Sequence, residues 1–318
     1  MHRYLWRRVL ASIPAIFGVT VLIFVAMRVL PGDPLAIIAG EGATFVLSDA
    51  DLRAARASLG LDKPLYAQYL SWMADIARGE FGKSFWRKEP IRDLILRRAP
   101  ITVEIALLAI VISWIIGIPV GIISPIWRNS LPDYAARFFV ILFVAVPAFW
   151  MALVCVLVGV LVFTWRPPIS IVYFWDNPLA NLQMVLGPAA ALGIGVAALT
   201  ARMTRSSTLE VLHEDYVRTA RAKGVKESLV VWRHVLRNAL LPVITVSGLA
   251  LGGLMGGSVA VERAFLVPGL GTALVFAVGE RDWMMIQNLV LLYGVVFAIV
   301  NLLIDLTYGL LDPRIRFD

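Results

Sequence analysis

Six separate stretches of roughly twenty apolar residues divide the chain, and that is the length an α-helix needs to cross the hydrocarbon core of a bilayer. They run approximately Val9–Leu30, Ile101–Ile123, Ala136–Phe163, Leu182–Ala201, Leu240–Val261 and Ile286–Leu310. Pro147 and Pro188 fall inside the third and fourth, which predicts a packed bundle where neighbouring helices satisfy the freed backbone groups. Composition agrees: 59 % of the residues are hydrophobic and 16 % charged, against about 45–50 % and about 25 % in soluble domains. The expected fold is therefore an all-α membrane protein with six transmembrane helices. The net charge of +7 does not point to nucleic acid, because the basic residues gather at the ends of the apolar stretches.

Lys and Arg in the short connections set the orientation. Arg3, Arg7 and Arg8 precede the first stretch, Arg128 lies in the short second connection and Arg137 just after it. Arg202, Arg205, Arg218, Arg221, Lys223, Lys226, Arg233 and Arg237 crowd the fourth, and Arg314 and Arg316 lie at the end. With six spans all of these share one side, so both termini are expected in the cytoplasm. Val9 to Met27 is too long for the core of a signal peptide and no small-x-small site follows, so it reads as a retained anchor. Between the first two spans, Asp49 to Leu59 is amphipathic and closed by Gly60. Pro64 to Ile76 places Leu65, Tyr69, Trp72 and Ile76 on one helical face. A small helical extracytoplasmic cap is expected there. The Pro- and aromatic-rich Trp165–Asn181 connection suits an interfacial lid or belt. The expected order is residues 1–30 (terminus and first helix), 31–100 (cap), 101–310 (five-helix core containing a cytoplasmic segment, 206–238) and 311–318 (cytoplasmic tail).

Little supports covalent chemistry. Cys155 is the single cysteine, and His2, His213 and His234 are far apart in sequence, so neither a disulfide nor a metal cage is expected. Ala77-Arg-Gly-Glu-Phe-Gly82-Lys83-Ser84 loosely resembles a phosphate loop, but an amphipathic helix precedes it where a buried strand is required. It reads as a turn of the cap. No Gly-x-Ser-x-Gly or His-Glu-x-x-His motif occurs, so the chain is expected to have no catalytic site, metal or cofactor of its own.

The most charged part of the chain, Leu209 to Arg237, lies between the fourth and fifth spans. Ser206, Ser207 and Thr208 offer helix-starting caps, and Leu209, Leu212, Tyr216 and Ala220 recur at helical spacing. Glu214 and Arg218 stand at i,i+4. Gly224 is placed to end the helix in a left-handed C′ position, and a second helical run, Glu227–Leu241, leads through Pro242 into the fifth span. The small Thr219 and Ala220 would let another protein approach closely. Helix, glycine turn and helix predict a rigid cytoplasmic projection that docks a soluble partner.

These residues resemble the cytoplasmic segment of bacterial binding-protein-dependent ABC permeases at Leu209, Arg218, Thr219, Ala220, Gly224, Val225, Val231 and Leu236. The chain departs from the general pattern with Arg218 and Thr219 for Glu and Ala, and with Arg237 where many members have Pro. Pro242 comes later, as in the peptide-transport branch. Leu30-Pro-Gly-Asp-Pro34, Leu59-Gly-Leu-Asp-Lys-Pro-Leu65, Gly79-Glu-Phe-Gly82, Pro268-Gly-Leu-Gly271 and Leu311-Asp-Pro-Arg-Ile-Arg316 are similar to blocks of the B-type subunit of dipeptide, oligopeptide and nickel permeases. The resemblance implies a type I ABC importer permease fold in the bacterial inner membrane. It implies a homologous second permease, two ATPase subunits that bind ATP and Mg, and an extracytoplasmic substrate-binding protein, all within membrane lipid. On this resemblance Glu214, Asp215, Tyr216, Arg218, Thr219, Ala220, Arg221, Lys223 and Gly224 are the ATPase-coupling element.

Other polar positions carry weaker expectations. Glu262 with Pro268, Gly269 and Gly271 suits an external gate, a binding-protein contact or a plain turn. Asn301 and Asp305, one turn apart in the sixth span, suit the substrate pathway or an inter-subunit or structural bond. Gly252, Gly253, Gly256 and Gly257 give small-xxx-small spacing in the fifth span, for helix packing or a wider pore. Arg28 and Glu104 are expected to snorkel outward. The rival function, an ion-coupled secondary transporter without ATPases, needs buried acidic relays and internal repeats.

Overall fold

The computed structural model describes residues 2–29, 62–85, 87–166, 168 and 170–311. Leu30–Pro34, the Asp49–Leu59 run with Gly60, the block after Leu311 and the side chain of Asp305 lie outside the described residues. The helices are α1 (His2–Val29), α2 (Leu65–Ala77), α3 (Ile91–Ile126), α4 (Leu131–Ala145), α5 (Ala148–Phe163), α6 (Pro178–Leu212) and α7 (Asp215–Ala222). They are followed by α8 (Glu227–Ala264), α9 (Leu270–Gly279) and α10 (Trp283–Leu311). Among the described residues the only β pairing is an isolated bridge between Lys83 and Pro90. Five helices are long and apolar enough to cross a membrane, and α4 with α5 makes a sixth span if the pair is taken together.

That pair is the first departure from expectation. Ala136–Phe163 reads as one apolar stretch, yet α4 and α5 meet at 103°. Pro147 stands between them as the N-cap of α5, in extended conformation, and it lacks the N–H that would continue α4. The second departure is α6. It starts with Asn177 accepting a hydrogen bond from the Ala180 N–H and Pro178 at the first helical position. It then runs unbroken through Ser206–Thr208, so these three are not caps, and Ser207 and Thr208 are buried.

The chain divides into two compact units. The smaller holds Leu10–Arg98 and Ala273–Val295, and within it α2 packs on the first span. Tyr69 Oη and Thr20 Oγ1 share a 2.7 Å hydrogen bond, and Phe24 lies against both Tyr69 and Trp72, with ring centroids 5.2 and 6.2 Å away. Asp282 Oδ2 accepts from Ser84 Oγ (2.6 Å) and the Phe85 N–H (2.9 Å), and Asn288 donates to the Phe81 carbonyl (2.7 Å). The phosphate-loop-like stretch is therefore a turn, with Gly79 and Gly82 at φ 79° and 72° and its serine spent on Asp282. Arg28 and Glu104 do not snorkel freely. Arg28 donates to Gln68 and Gln287, and Glu104, in the larger unit, accepts from Asn181 at 2.9 Å.

The larger unit centres on α6 and α8. Helices α3 and α6 approach so closely that a Cβ on Gly117 or Gly121 would lie 2.6 Å from the carbonyl oxygen of Ala197 or Ala201. On α8 the glycines separate by face. A Cβ on Gly252 would touch the Phe297 ring at 3.1 Å, whereas Gly253, Gly256 and Gly257 look onto open space. Asp133, fully buried, ties α3, α4 and α6 together. It accepts from Ser124, from the Asn129 N–H (3.0 Å) and from Arg137 (2.5 Å), and Arg205 donates to Ser124 Oγ at 2.7 Å.

Candidate functional site

The charged segment folds as a short helix held on an apolar base. Helix α7 begins after Glu214, whose carbonyl accepts from the N–H groups of Val217 and Arg218 at 3.0 and 3.2 Å. Asp215 in its first turn and Arg221 in its last both suit the helix dipole. Of its eight residues only Val217 and Ala220 are buried. They pack with Val230 and Val235, and with Val211, Leu212 and Val225 at the edge of the same cluster.

Its end is a complete Schellman motif. Gly224 has φ 74°, a conformation cheap for glycine and costly for L side chains. The Gly224 N–H donates to the Arg221 carbonyl (2.9 Å) and the Val225 N–H to that of Ala220 (3.3 Å). Val225 and Ala220 also share the apolar cluster, which is the contact that usually accompanies this motif. Beyond the turn, Arg221 reaches Glu227 with two bonds, Nη2 to Oε1 at 2.6 Å and Nε to Oε2 at 3.1 Å. These bonds raise the Arg221 pKa above its ordinary value. Tyr216 adds a second tie to α8, accepting from Asn238 Nδ2 at 2.7 Å and donating to the His234 carbonyl at 3.4 Å. Residues Val230–Val235 of α8 form a π-helical turn, the irregularity that most often marks a functional position in a helix.

This arrangement sorts the expected coupling residues into two groups. Glu214, Asp215, Tyr216, Arg218, Thr219, Lys223 and Gly224 are exposed and available to a partner. Ala220 is not. Its methyl is buried in the valine cluster, where its small size lets α7 seat closely. Arg221 is exposed but committed to Glu227, and Arg218 pairs with Asp215 (3.4 Å) instead of Glu214. Glu227, Asn238 and the valine cluster hold α7 in place and were not singled out by sequence spacing.

The second expected group is a buried knot. Glu262 is fully buried, and its Oε1 accepts from Thr102 Oγ1 (2.9 Å) and Ser258 Oγ (3.1 Å). Oε2 accepts from the N–H groups of Gly271 (2.8 Å) and Thr272 (3.2 Å), while Leu270 N–H donates to Thr102 Oγ1 at 2.8 Å. Glu262 and Thr102 thus cap the first turn of α9 from other helices. Gly269 and Gly271 are buried against this carboxylate, and only Pro268 is partly exposed, so the group presents little surface to a binding protein. In the last helix Asn301 Oδ1 is buried with no hydrogen-bond partner among the described residues.

Two family descriptions match the chain: "Binding-prot-dependent transport system membrane comp, N-term" over residues 1–106, and "Binding-protein-dependent transport system inner membrane component" over residues 117–317. The chain is 39 % identical over 318 residues, the whole of both chains, to a putative peptide transport system permease protein of Brucella abortus. It is 39 % identical over 317 residues, again all of each chain, to the glutathione transport system permease protein GsiC of Escherichia coli K12. A crystal structure described as an amino acid ABC transporter with histidines is similar at TM-score 0.48 and 16 % identity, over 65 % of this chain and 88 % of that one. The apolar spans and the match across both halves of the sequence agree, and the chain belongs to the family of binding-protein-dependent transport system inner membrane components.

Proposed function

We propose that this chain is the permease subunit of an ATP-driven importer, of the dipeptide/oligopeptide kind, that carries peptides or similar small solutes across the cytoplasmic membrane. Family membership supports the importer, and full-length relatives named for peptide and glutathione transport support the cargo class. In this reading both termini are cytoplasmic, a homologous permease completes the pathway, and two ATPase subunits bind ATP and Mg. A binding protein delivers solute from outside. The chain itself does no covalent chemistry.

The observation that carries the reading is α7, a charged helix seated on buried valines and locked to α8 across the Gly224 turn. Arg218, Thr219 and Lys223 enter the ATPase surface, and Val217, Ala220 and the Arg221–Glu227 pair pass its displacement into α8. A rigid seat matters because a loose helix would absorb the ATPase stroke locally. Among the described residues, three buried carboxylates give the ion-coupled rival no open relay. Asp133, Glu262 and Asp282 are each filled with protein hydrogen-bond donors.

Affinity purification from native membranes tests the reading. The chain is expected to bring down a second permease and ATPase subunits, and proteoliposomes of that complex to take up peptide only with ATP. A chain that isolates alone and transports on an ion gradient without ATP contradicts it.

A further inference from the structure

In the smaller unit a cavity of about 170 Å³ is lined by Arg28, Lys63, Trp72, Asp75, Glu80 and Gln287, among others. Arg28 is half-buried, and its partners among the described residues are neutral. Its Nε and Nη2 donate to Gln68 Oε1 at 3.3 and 3.2 Å, and its Nη1 donates to Gln287 Oε1 and to the Phe24 carbonyl (3.4 Å). Its guanidinium carbon lies 3.6 Å from the centroid of the Phe24 ring. Among the described residues Arg28 makes no ion pair, and a partly desolvated cation without an anion is an expensive arrangement. Gln287 is 1 % exposed, and with its Oε1 turned to Arg28 its Nε2 has no acceptor among the described residues. Unsatisfied buried donors are rare and costly. A cation with no anion among the described residues and an amide donor with no acceptor there therefore border the same cavity, which Lys63 also lines.

We infer that this cavity is a subsite for the terminal carboxylate of a zwitterionic solute, a peptide on the reading proposed above, on which the inference rests. The second N–H groups of Arg28 Nη1 and Nη2, with Gln287 Nε2, receive the carboxylate, because a planar guanidinium matches carboxylate geometry where a point charge does not. Glu80 and Asp75, the latter 3.7 Å from Arg78, supply negative charge on the same lining for an ammonium. The volume lies below the roughly 300 Å³ at which pockets enclose whole drug-sized ligands, so the subsite grips one end of the solute. Trp72 offers the flat apolar wall.

The test uses the whole importer in nanodiscs without its binding protein, titrated with dialanine, alanyl-alaninamide and inorganic phosphate while tryptophan emission is followed. Dialanine is expected to give a saturable change that Trp72→Phe removes, and the amide to bind at least about tenfold more weakly. Arg28→Gln should abolish that preference and Arg28→Lys should restore part of it. Gln287→Leu should weaken dialanine in the same direction. Each variant is checked for intact assembly by basal ATP hydrolysis. Equal binding of dialanine and its amide, an unchanged preference in Arg28→Gln, or saturation by phosphate with no response to dialanine overturns the subsite. ATP-driven dialanine uptake with the binding protein present, on the same preparations, separates the two ideas. Uptake without a binding signal sinks the subsite alone, and a binding signal without uptake sinks the cargo reading alone.

Discussion

Arg221 and Glu227 face each other across the Gly224 turn, joined by hydrogen bonds of 2.6 and 3.1 Å. Their side chains remain 39 % and 58 % exposed, so solvent screens the pair and its contribution to global stability is at most about 1 kcal/mol. Its role is local, holding the end of α7 against the start of α8. Glu227→Ala is expected to leave thermal unfolding in detergent nearly unchanged. Amide exchange over residues 221–227 should rise, and ATPase stimulation by the permease should fall by no more than about fivefold.

Gly224 separates shape from surface chemistry. A Cβ there meets nothing within 4 Å, so Gly224→Ala costs only the left-handed backbone, about 1 kcal/mol, and should weaken coupling mildly. Aspartate tolerates that backbone better than alanine. Gly224→Asp therefore adds negative charge to an exposed turn beside Arg218, Arg221 and Lys223 more than it disturbs the fold. Loss of ATPase stimulation or assembly is expected, measured on the reconstituted complex. Unaltered ATP-coupled uptake would remove the case for docking at this turn.

Glu262 should matter more for stability than for docking. Glu262→Gln keeps an acceptor for Thr102 and Ser258 but turns an amide N–H₂ toward the N–H groups of Gly271 and Thr272. The expected loss is about 2–3 kcal/mol, read as a lower unfolding temperature in detergent. Gly271→Ala should act similarly, because its Cβ would lie 2.6 Å from the Cα of Val259, which is backbone and yields poorly.

Glycines on two helices should respond oppositely. Gly121→Ala forces α3 from α6 and is expected to cost about 1–3 kcal/mol. Gly253→Ala faces open space within a helix and should be neutral or stabilising by up to about 1 kcal/mol in the isolated chain. If the second permease packs on that face, the same change lowers pairing of the two permeases in a pull-down.

Helix α7 and its glycine turn could be read from the sequence because their determinants are local. One glycine fixes the turn, and helical spacing picked out Ala220, though it named Tyr216 where the structure buries Val217. Which side of α7 carried the apolar base was not readable, since Ala220 finds Val230 and Val235 only after the chain reverses at Gly224. Ser206–Thr208 misled for a physical reason: Ser and Thr suit both caps and helix–helix contacts, and here burial decided. The grouping of Glu262 with Gly269 and Gly271 was legible because they lie close in sequence, whereas Thr102, 160 positions away, left no local trace. At Pro147 the proline was visible, but continuous apolarity across it hid the 103° bend.

The most direct measurement of the central claim places a cysteine on the exposed side of α7. Thr219 is exposed, its hydroxyl occupied only by the Asp215 carbonyl at 2.9 Å, and Cys155 is the sole native thiol to remove. In the Cys155→Ala, Thr219→Cys importer, a short bis-maleimide reagent is expected to join this chain to an ATPase subunit that carries a surface cysteine. The yield should change when ATP and vanadate close the ATPases. A complex that still imports with ATP, yet gives no link from position 219 to any ATPase cysteine placed across its permease-facing surface, would contradict the account.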